Sequence, residues 1–261
     1  MGPDGFIGLL KAWRTGFPDG HMTIDDLMVE GDLGVIRNTW HGTHEGDFYG
    51  VAPTGQRVAV TCIGIDRVVD GKVTEGWGEL DMVGMMQTIK ALPMVGPGAV
   101  ATGASPEWGP DHQPAAAAAG GAAVDRKAML RDFVAAVSTG DVAAVDMLVD
   151  PSFVDHNPVW GSTDRSSMLA SYALLRAAMP DLHFEVEPEL VLADGDQVAA
   201  HSLVTGTHTG TALFGAPAQG ERVTWTHTDV VRLVGGRIAE RWASADTMHL
   251  FQSLGVVPAS D

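Results

Sequence analysis

Residues 234–242 read VGGRIAERW, and residues 69–77 read VDGKVTEGW. Each stretch has a glycine turn followed by the alternation of a short strand. The likeness extends in both directions, because residues 220–258 align with residues 55–93 without a gap and with 12 identities in 39 positions. Self-similarity over this length indicates that the chain contains two copies of one structural unit.

Two shorter matches extend the repeat toward the N-terminus. FPDGH at 17–21 corresponds to MPDLH at 179–183, and GTHEG at 42–46 corresponds to GTHTG at 206–210. Between the copies, residues 94–124 are rich in Ala, Gly and Pro and contain no Lys or Arg, which is typical of a linker.

We therefore predict three segments: an incomplete copy over residues 1–93, a linker over 94–124 and a complete copy over 125–261. The first copy is incomplete in this prediction because Pro3 falls where the third helix of the second copy begins. Two helices of the second copy then have no counterpart in the first.

The second copy has helical spacing of apolar residues first and strand alternation afterwards. Ser162 or Thr163 is expected to cap the third helix, and residues 151–161 are expected to form a loop. The predicted elements are helices at 125–138, 141–149 and up to Ala178, strands at 183–193, 197–209, 221–234 and 237–245, and a short helix from Asp246. This order predicts an α+β fold with helices against an antiparallel sheet.

Charge and composition exclude several classes of function. The 261 residues include 16 basic and 33 acidic side chains, a formal charge of −17, which disfavours binding to nucleic acid or to an anionic membrane. The single cysteine, Cys62, allows no internal disulfide, and no apolar run is long enough for a membrane span. We expect a cytoplasmic protein.

The order of elements, together with PDLHFE, GTHTG, GAPAQGERV, GGRIAERW and DTMHLFQSLG, resembles the SnoaL-like polyketide cyclases. These belong to the NTF2-like superfamily, which also holds ketosteroid isomerase and limonene epoxide hydrolase. The resemblance covers nearly all of residues 125–258 and, more weakly, residues 2–93. It implies tandem NTF2-like cones, each a curved antiparallel sheet with helices on its concave face. It also implies a pseudo-dimer within the chain, with a homodimer as a further option.

Members of this family close rings in aromatic polyketides by intramolecular aldol condensation without a metal or an organic cofactor. The resemblance therefore implies a cofactor-independent cyclase whose partner is a small hydrophobic, polyketide-derived substrate. The sequence itself contains no HExxH, no clustered Cys ligands and no glycine-rich phosphate loop, so we expect neither a metal nor a cofactor.

The strand RVTWTHTDVVRL, residues 222–233, supplies the main candidate site. Alternation places His227 and Asp229 on one face with Trp225 and Val231, an apolar surround in which two polar side chains need a partner or a use. We interpret the pair as a catalytic acid and base, with burial raising the proton affinity of Asp229. The alternative is a hydrogen-bonded core pair or a dimer contact.

The family's cavity residues correspond only partly to this sequence. Its polar loop asparagine corresponds to Asn157, and a glutamine on its central strand corresponds to His227. Its acid/base aspartate falls on Ala243 in the second copy and on Gly78 in the first. This departure leaves open a non-catalytic role, in which the protein binds a hydrophobic intermediate or assists a partner enzyme.

Four other residues are candidates for substrate contact, beside Asn157: Trp225, Trp242, His156 and Asp246. The tryptophans have an alternative role in the core or at an interface, and Asp246 has an alternative role as the N-cap of the closing helix.

A second type of enzyme also remains open. A site like that of limonene epoxide hydrolase, in which Asp, Arg and Asp are in contact and activate water, could be imitated by Asp229, Arg241 and Asp246. The first copy offers neither site, because Cys62 and Gly64 occupy the positions that match the proposed catalytic pair.

Overall fold

The computed structural model of the protein describes residues 2–92, 125–156 and 161–257. The predicted linker and the candidate Asn157 lie outside these ranges. The helices are α1 (Pro3–Gly16), α2 (Met82–Thr88), α3 (Arg126–Thr139), α4 (Val142–Leu148), α5 (Arg165–Ala178) and α6 (Thr247–Ser253). The strands are β1 (His21–Glu30), β2 (Leu33–Thr43), β3 (Arg57–Val69), β4 (Lys72–Leu80), β5 (Val149–Asp155), β6 (His183–Asp194), β7 (Gln197–Thr207), β8 (Arg222–Val234) and β9 (Arg237–Ala245).

The first copy forms a four-stranded sheet in the order β1-β2-β3-β4, with antiparallel pairing throughout. Helix α1 precedes this sheet and α2 follows it. Trp13 of α1 and Met85 of α2 belong to one buried cluster with Val58 and Val60 of β3. The two flanking helices therefore pack on the same face of the sheet.

The second copy forms a five-stranded sheet in the order β5-β9-β8-β7-β6. Strands β6 to β9 form the predicted antiparallel meander, and each begins and ends within two residues of the prediction. Together the two copies have the predicted α+β fold class, with two largely antiparallel sheets and helices against them.

Strand β5 corrects the sequence prediction, which ended a helix at Val149 and assigned residues 151–161 to a loop. It runs parallel to β9, with Val149 opposite Ile238 and Asp155 opposite Arg241. The ladder is interrupted by a register shift after Val149, close to Pro151, which cannot donate to a ladder. An interrupted edge strand shows little alternation of apolar and polar residues, so the sequence pattern did not reveal it. Its pairing with β9 places Asp155 beside the central strands.

The cap of α5 is a second correction. Asp164, rather than Ser162 or Thr163, is the N-cap, and its carboxylate accepts from the backbone N–H of Ser167 at 2.8 Å. The Ser167 hydroxyl bonds back to the N–H of Asp164, which completes a capping box. Ser162 does not cap the helix, and its hydroxyl donates to the carboxylate of Asp155 instead.

Each sheet has an inner face, which packs against helices, and an outer face, which packs against the other sheet. Trp225 and Val231 of β8 lie on the inner face of the second sheet, in the same cluster as Leu130 of α3. The residues that alternate with these along β8 face outward. Among them, Val230 packs with Ile65 of the first sheet and with Trp242 of β9. The two outer faces therefore share one buried apolar cluster.

The inner face of the first sheet has less cover than that of the second. Its edge strand β1 exposes four large apolar side chains by more than half: Met22, Ile24, Leu27 and Val29. Pairing through β2 puts them on the same face as Val60. In the second copy, α3 packs on β6 and β7, and its Leu130 and Phe133 are fully buried. The two copies thus share a meander but differ in their helices.

Candidate active site

Three charged or titratable residues meet on the inner face of β8 and β9. His227 and Asp229 are two residues apart on β8, and Arg241 lies on β9 opposite Val231. All three are at most 3% exposed, although each has a high cost of burial when unpaired. Their partners therefore decide what the site can do.

Arg241 is the centre of the cluster. Its Nε donates to Asp229 Oδ1 at 2.7 Å, and its Nη1 donates to Asp155 Oδ2 at 3.2 Å. Its Nη2 donates to the Tyr172 hydroxyl at 2.7 Å and lies 3.1 Å from Nε2 of His227. Every nitrogen of the guanidinium is thus engaged by a partner, so Arg241 holds the site together rather than offering a free charge.

Asp155 reaches the cluster from the end of β5. Its Oδ2 also accepts from the Ser162 hydroxyl at 2.6 Å, and the backbone N–H of Asp155 donates to the carbonyl of Thr163 at 3.0 Å. Because β5 pairs beside β9, this carboxylate lies on the opposite side of Arg241 from Asp229. The result is a continuous Asp229–Arg241–Asp155 arrangement.

Tyr172 comes from α5, which packs over the inner face. Its hydroxyl oxygen accepts from Arg241, which leaves the hydroxyl proton available for donation. Burial raises the pKa of Tyr172, although the charge of Arg241 opposes this shift, so the hydroxyl stays protonated. A neutral donor polarised by an adjacent cation suits the oxygen of an enolate.

The pKa of Asp229 differs from the sequence-based expectation. Burial alone would raise it, but the charge of Arg241 outweighs burial and holds the pKa of Asp229 well below its usual range. The expectation considered only the apolar surround, because the position of Arg241 relative to the strand was unknown. Asp229 is therefore an ionised carboxylate in the resting site at neutral pH, which is the form that can accept a proton.

The contacts of His227 define its tautomer. Arg241 has only donors, so its 3.1 Å contact to Nε2 requires a lone pair on that nitrogen. In neutral His227 the ring proton then lies on Nδ1. The 3.4 Å separation between Nε2 and Asp229 Oδ1 is accordingly a contact between two acceptors, not a hydrogen bond.

The remaining sequence candidates are divided between the two faces. Trp225 lies on the inner face, in the core under the helices. Trp242 and His156 lie on the outer side, where their rings stack with centroids 4.8 Å apart and Arg37 of the first copy covers Trp242 at 4.3 Å. The structure therefore does not bring Trp242 and His156 to the inner-face cluster. Their contacts fit the interface alternative.

Asp246 takes the alternative role considered for it. Its carboxylate caps α6 by accepting from the backbone N–H of His249 at 2.9 Å. The second carboxylate on Arg241 is Asp155, so the Asp229–Arg241–Asp246 combination is corrected to Asp229–Arg241–Asp155.

Sequence reasoning missed Tyr172 and Asp155. Tyr172 gave no signal in the sequence, because the side of α5 that faces the sheet depends on how the helix docks. Asp155 had a signal, because it directly precedes the candidate His156, but a strand had to be recognised before its direction could be inferred.

The first copy lacks this cluster at every position that can be compared. Over the gapless part of the repeat, the residues matching His227, Asp229 and Arg241 are Cys62, Gly64 and Gly76. Asp246, by contrast, has a counterpart in Asp81, which also caps the helix that follows it. The cap belongs to the scaffold, and the inner-face cluster belongs to the second copy alone.

Two searches of the described ranges concern other functions. No three His, Cys, Asp or Glu side chains there are arranged so that they could hold a metal ion. Among the same residues, none of the helices combines the length and the apolar character that a membrane span requires.

The chain belongs to the SnoaL-like polyketide cyclase family, since the family model matches residues 1–89 and again residues 127–254. No curated protein sequence matches it significantly. Similar solved structures include AclR, a proposed hydroxylase from Streptomyces galilaeus, at 28% identity over 52% of this chain and 84% of AclR, with a TM-score of 0.48.

The match to two further solved structures extends over almost the whole length of each of those chains. IdmH, a proposed polyketide cyclase from Streptomyces antibioticus, is 25% identical over 51% of this chain and 99% of its own, with a TM-score of 0.46. A proposed polyketide cyclase from Acidithiobacillus ferrooxidans is 27% identical over 52% of this chain and 99% of its own, also with a TM-score of 0.46.

Proposed function

We propose that the protein is a cofactor-independent cyclase, which closes a ring in a polyketide-derived substrate through an enolate, with its site in the second copy. The observation that carries the proposal is a cross-strand pair: Asp229 lies directly opposite Ala243. Ala243 is the position on which the family's acid/base aspartate falls.

This pairing gives the carboxylate a route to the family's position from the neighbouring strand. Side chains of directly opposed residues share one face, with Cβ atoms about 4.5 to 5.5 Å apart. The carboxylate of Asp229 can therefore serve the space that an aspartate at position 243 would serve. In the first copy the corresponding pair is Gly64 opposite Gly78, and neither residue has a side chain.

The mechanism follows from the atoms available. Asp229 Oδ1 is bound by Arg241, and its other oxygen would accept the proton of an acidic C–H between two carbonyl groups. The hydroxyl of Tyr172 would donate to the enolate oxygen, with Arg241 behind it. The enolate carbon then attacks a second carbonyl carbon, and the proton taken by Asp229 is returned to the new alkoxide.

The surroundings of this site form the rest of the proposal. The substrate is small and hydrophobic, with Trp225 on the apolar inner face beside the polar cluster. The first copy acts as an intrachain pseudo-dimer partner, as the shared outer-face cluster supports.

Trp242 and His156 no longer belong to the proposed substrate contacts. The single thiol, Cys62, fits the reducing conditions of the cytoplasm.

A second candidate function is epoxide hydrolysis, which the Asp229–Arg241–Asp155 arrangement favours. One carboxylate would activate water while the other, in its protonated form, would donate to the epoxide oxygen. Tyr172 would orient the water or the epoxide.

The test presents the purified protein with two substrates: a linear ester that contains 1,3-dicarbonyl units, and a cyclic terpene epoxide, both in H₂¹⁸O. The cyclase proposal predicts a new carbon–carbon bond in the first product and no diol from the second. A diol that carries one ¹⁸O atom would instead establish the hydrolase, and inactivity toward broad panels of both classes would favour a binding role.

A further inference from the structure

Glu79, at the end of β4 in the first copy, is buried against the outer face of the second sheet. It is 3% exposed. Its Oε2 accepts from the Thr228 hydroxyl at 2.5 Å, and its Oε1 lies 3.3 Å from Nδ1 of His201. A buried carboxylate that accepts from a buried hydroxyl and lies beside a buried imidazole is a constructed contact, since an unpaired one would be strongly destabilising.

The backbone of Glu79 makes a further contact with the second copy. Its carbonyl oxygen accepts from the Ser244 hydroxyl at 2.9 Å. Ser244 lies directly opposite Thr228 in the β8–β9 ladder. The side chain and the main chain of one first-copy residue therefore bind both strands of the second copy at the same rung.

That rung carries the proposed site on its other side. Thr226 and Thr228 alternate with His227 and Asp229 along β8, and Ser244 follows Ala243 on β9. Fixing the outward side chains fixes the backbone from which the inward side chains project.

We propose that Glu79 is a positioning residue, through which the first copy holds His227 and Asp229 of the second copy in place. The effect on turnover rests on the proposed function, whereas the effect on the His227 ring rests on the contacts alone. The role explains why a copy without the inner-face cluster is retained: it contributes a residue to the support of the active copy.

The experiment compares Glu79→Ala and Glu79→Gln with Glu75→Ala. Glu75 lies on the same strand, but its side chain is 55% exposed and pairs with Arg67 of the first copy, which makes it a matched control. Imidazole ¹⁵N spectra of the full chain report the His227 tautomer, with the signal assigned by its absence in His227→Gln. Thermal unfolding of each variant is measured in parallel.

We expect Glu79→Ala to abolish the single Nδ1–H pattern of His227, Glu79→Gln to preserve most of it because an acceptor remains, and Glu75→Ala to leave it unchanged. With a cyclisation substrate, Glu79→Ala should lower kcat about 10- to 100-fold while KM stays within about twofold. An unchanged His227 signal in a folded Glu79→Ala protein overturns the proposal, whether or not a substrate has been found.

Thr228→Val provides a second variant if Glu79→Ala does not fold. It removes the hydroxyl donor but keeps the branched shape of the side chain, so the strand should persist. The proposal predicts that the His227 pattern is lost in this variant too, and a wild-type pattern overturns it. If the wild-type protein cyclises no substrate, the proposed function fails while the spectra still decide the role of Glu79.

Discussion

At the point where the second copy carries its charged cluster, the first copy carries glycine. Gly64 faces Gly78 across β3 and β4, and Asp229 faces Ala243 across β8 and β9. The ladders match at this rung, so strand pairing here does not depend on which inner-face side chains the rung carries. The comparison teaches that the fold and the site are separable in this chain. One copy has kept the first without the second.

The copies also differ in how they hold an arginine between two carboxylates. Arg67 in the first copy pairs with Asp32 and Glu75 at the surface, with 26% of its side chain exposed. Arg241 in the second copy pairs with Asp229 and Asp155 and is almost fully buried. The same set of charges therefore occurs once in a screened and once in an unscreened environment.

The largest effect should come from removing these two arginines. Arg241→Met leaves two buried carboxylates without their cation and should lower the free energy of unfolding by about 3 to 5 kcal/mol. Arg67→Met removes surface ion pairs, which solvent screens, and should lower the free energy of unfolding far less. Urea unfolding of both variants measures the difference, and equal losses would show that burial of the Arg241 cluster has no special weight.

The two tyrosines of the chain provide the next comparison. Tyr172→Phe removes the proposed enolate donor and should lower kcat about 100-fold with little change in KM. Tyr49→Phe, in the first copy, alters a side chain that is 58% exposed and should leave turnover unchanged. If Tyr172→Phe keeps full activity in a folded protein, its hydroxyl has no role in the reaction.

The smallest effect concerns pH and should have opposite signs in the two copies. Arg241 depresses the pKa of Asp229, so its stabilising contribution is present above its unfolded pKa of about 4 and is lost as the pH falls through the lower folded value. Burial raises the pKa of Asp66, on the inner face of the first sheet, so that carboxylate destabilises the fold as the pH rises above about 4.

Unfolding free energies of Asp229→Asn and Asp66→Asn, measured between pH 7 and pH 3, test this reversal of sign. Asp229→Asn should be least harmful at the acidic end, and Asp66→Asn should be most favourable at the neutral end. Parallel pH profiles for the two variants would refute the assigned environments.

Local rules predicted most of the fold because the meander strands alternate strongly and are separated by glycine turns. They missed β5, where Pro151 and a shift in register interrupt a short edge strand. In the site, alternation along β8 was enough to place His227 and Asp229 on one face of the strand. Alternation alone did not show that Trp242 faces outward, because this depends on the register of β9 against β8. Tyr172 depended on helix docking, which is set by packing across the whole copy.

The most direct test of the account is the turnover of Asp229→Asn beside that of Cys62→Ala, which alters the first-copy position matching His227. With a substrate that wild-type protein cyclises, the account predicts a loss of about 10² to 10⁴ in kcat for Asp229→Asn, little change in KM, and no effect of Cys62→Ala. Full turnover by a folded Asp229→Asn protein would contradict the claim that the carboxylate opposite Ala243 performs the chemistry.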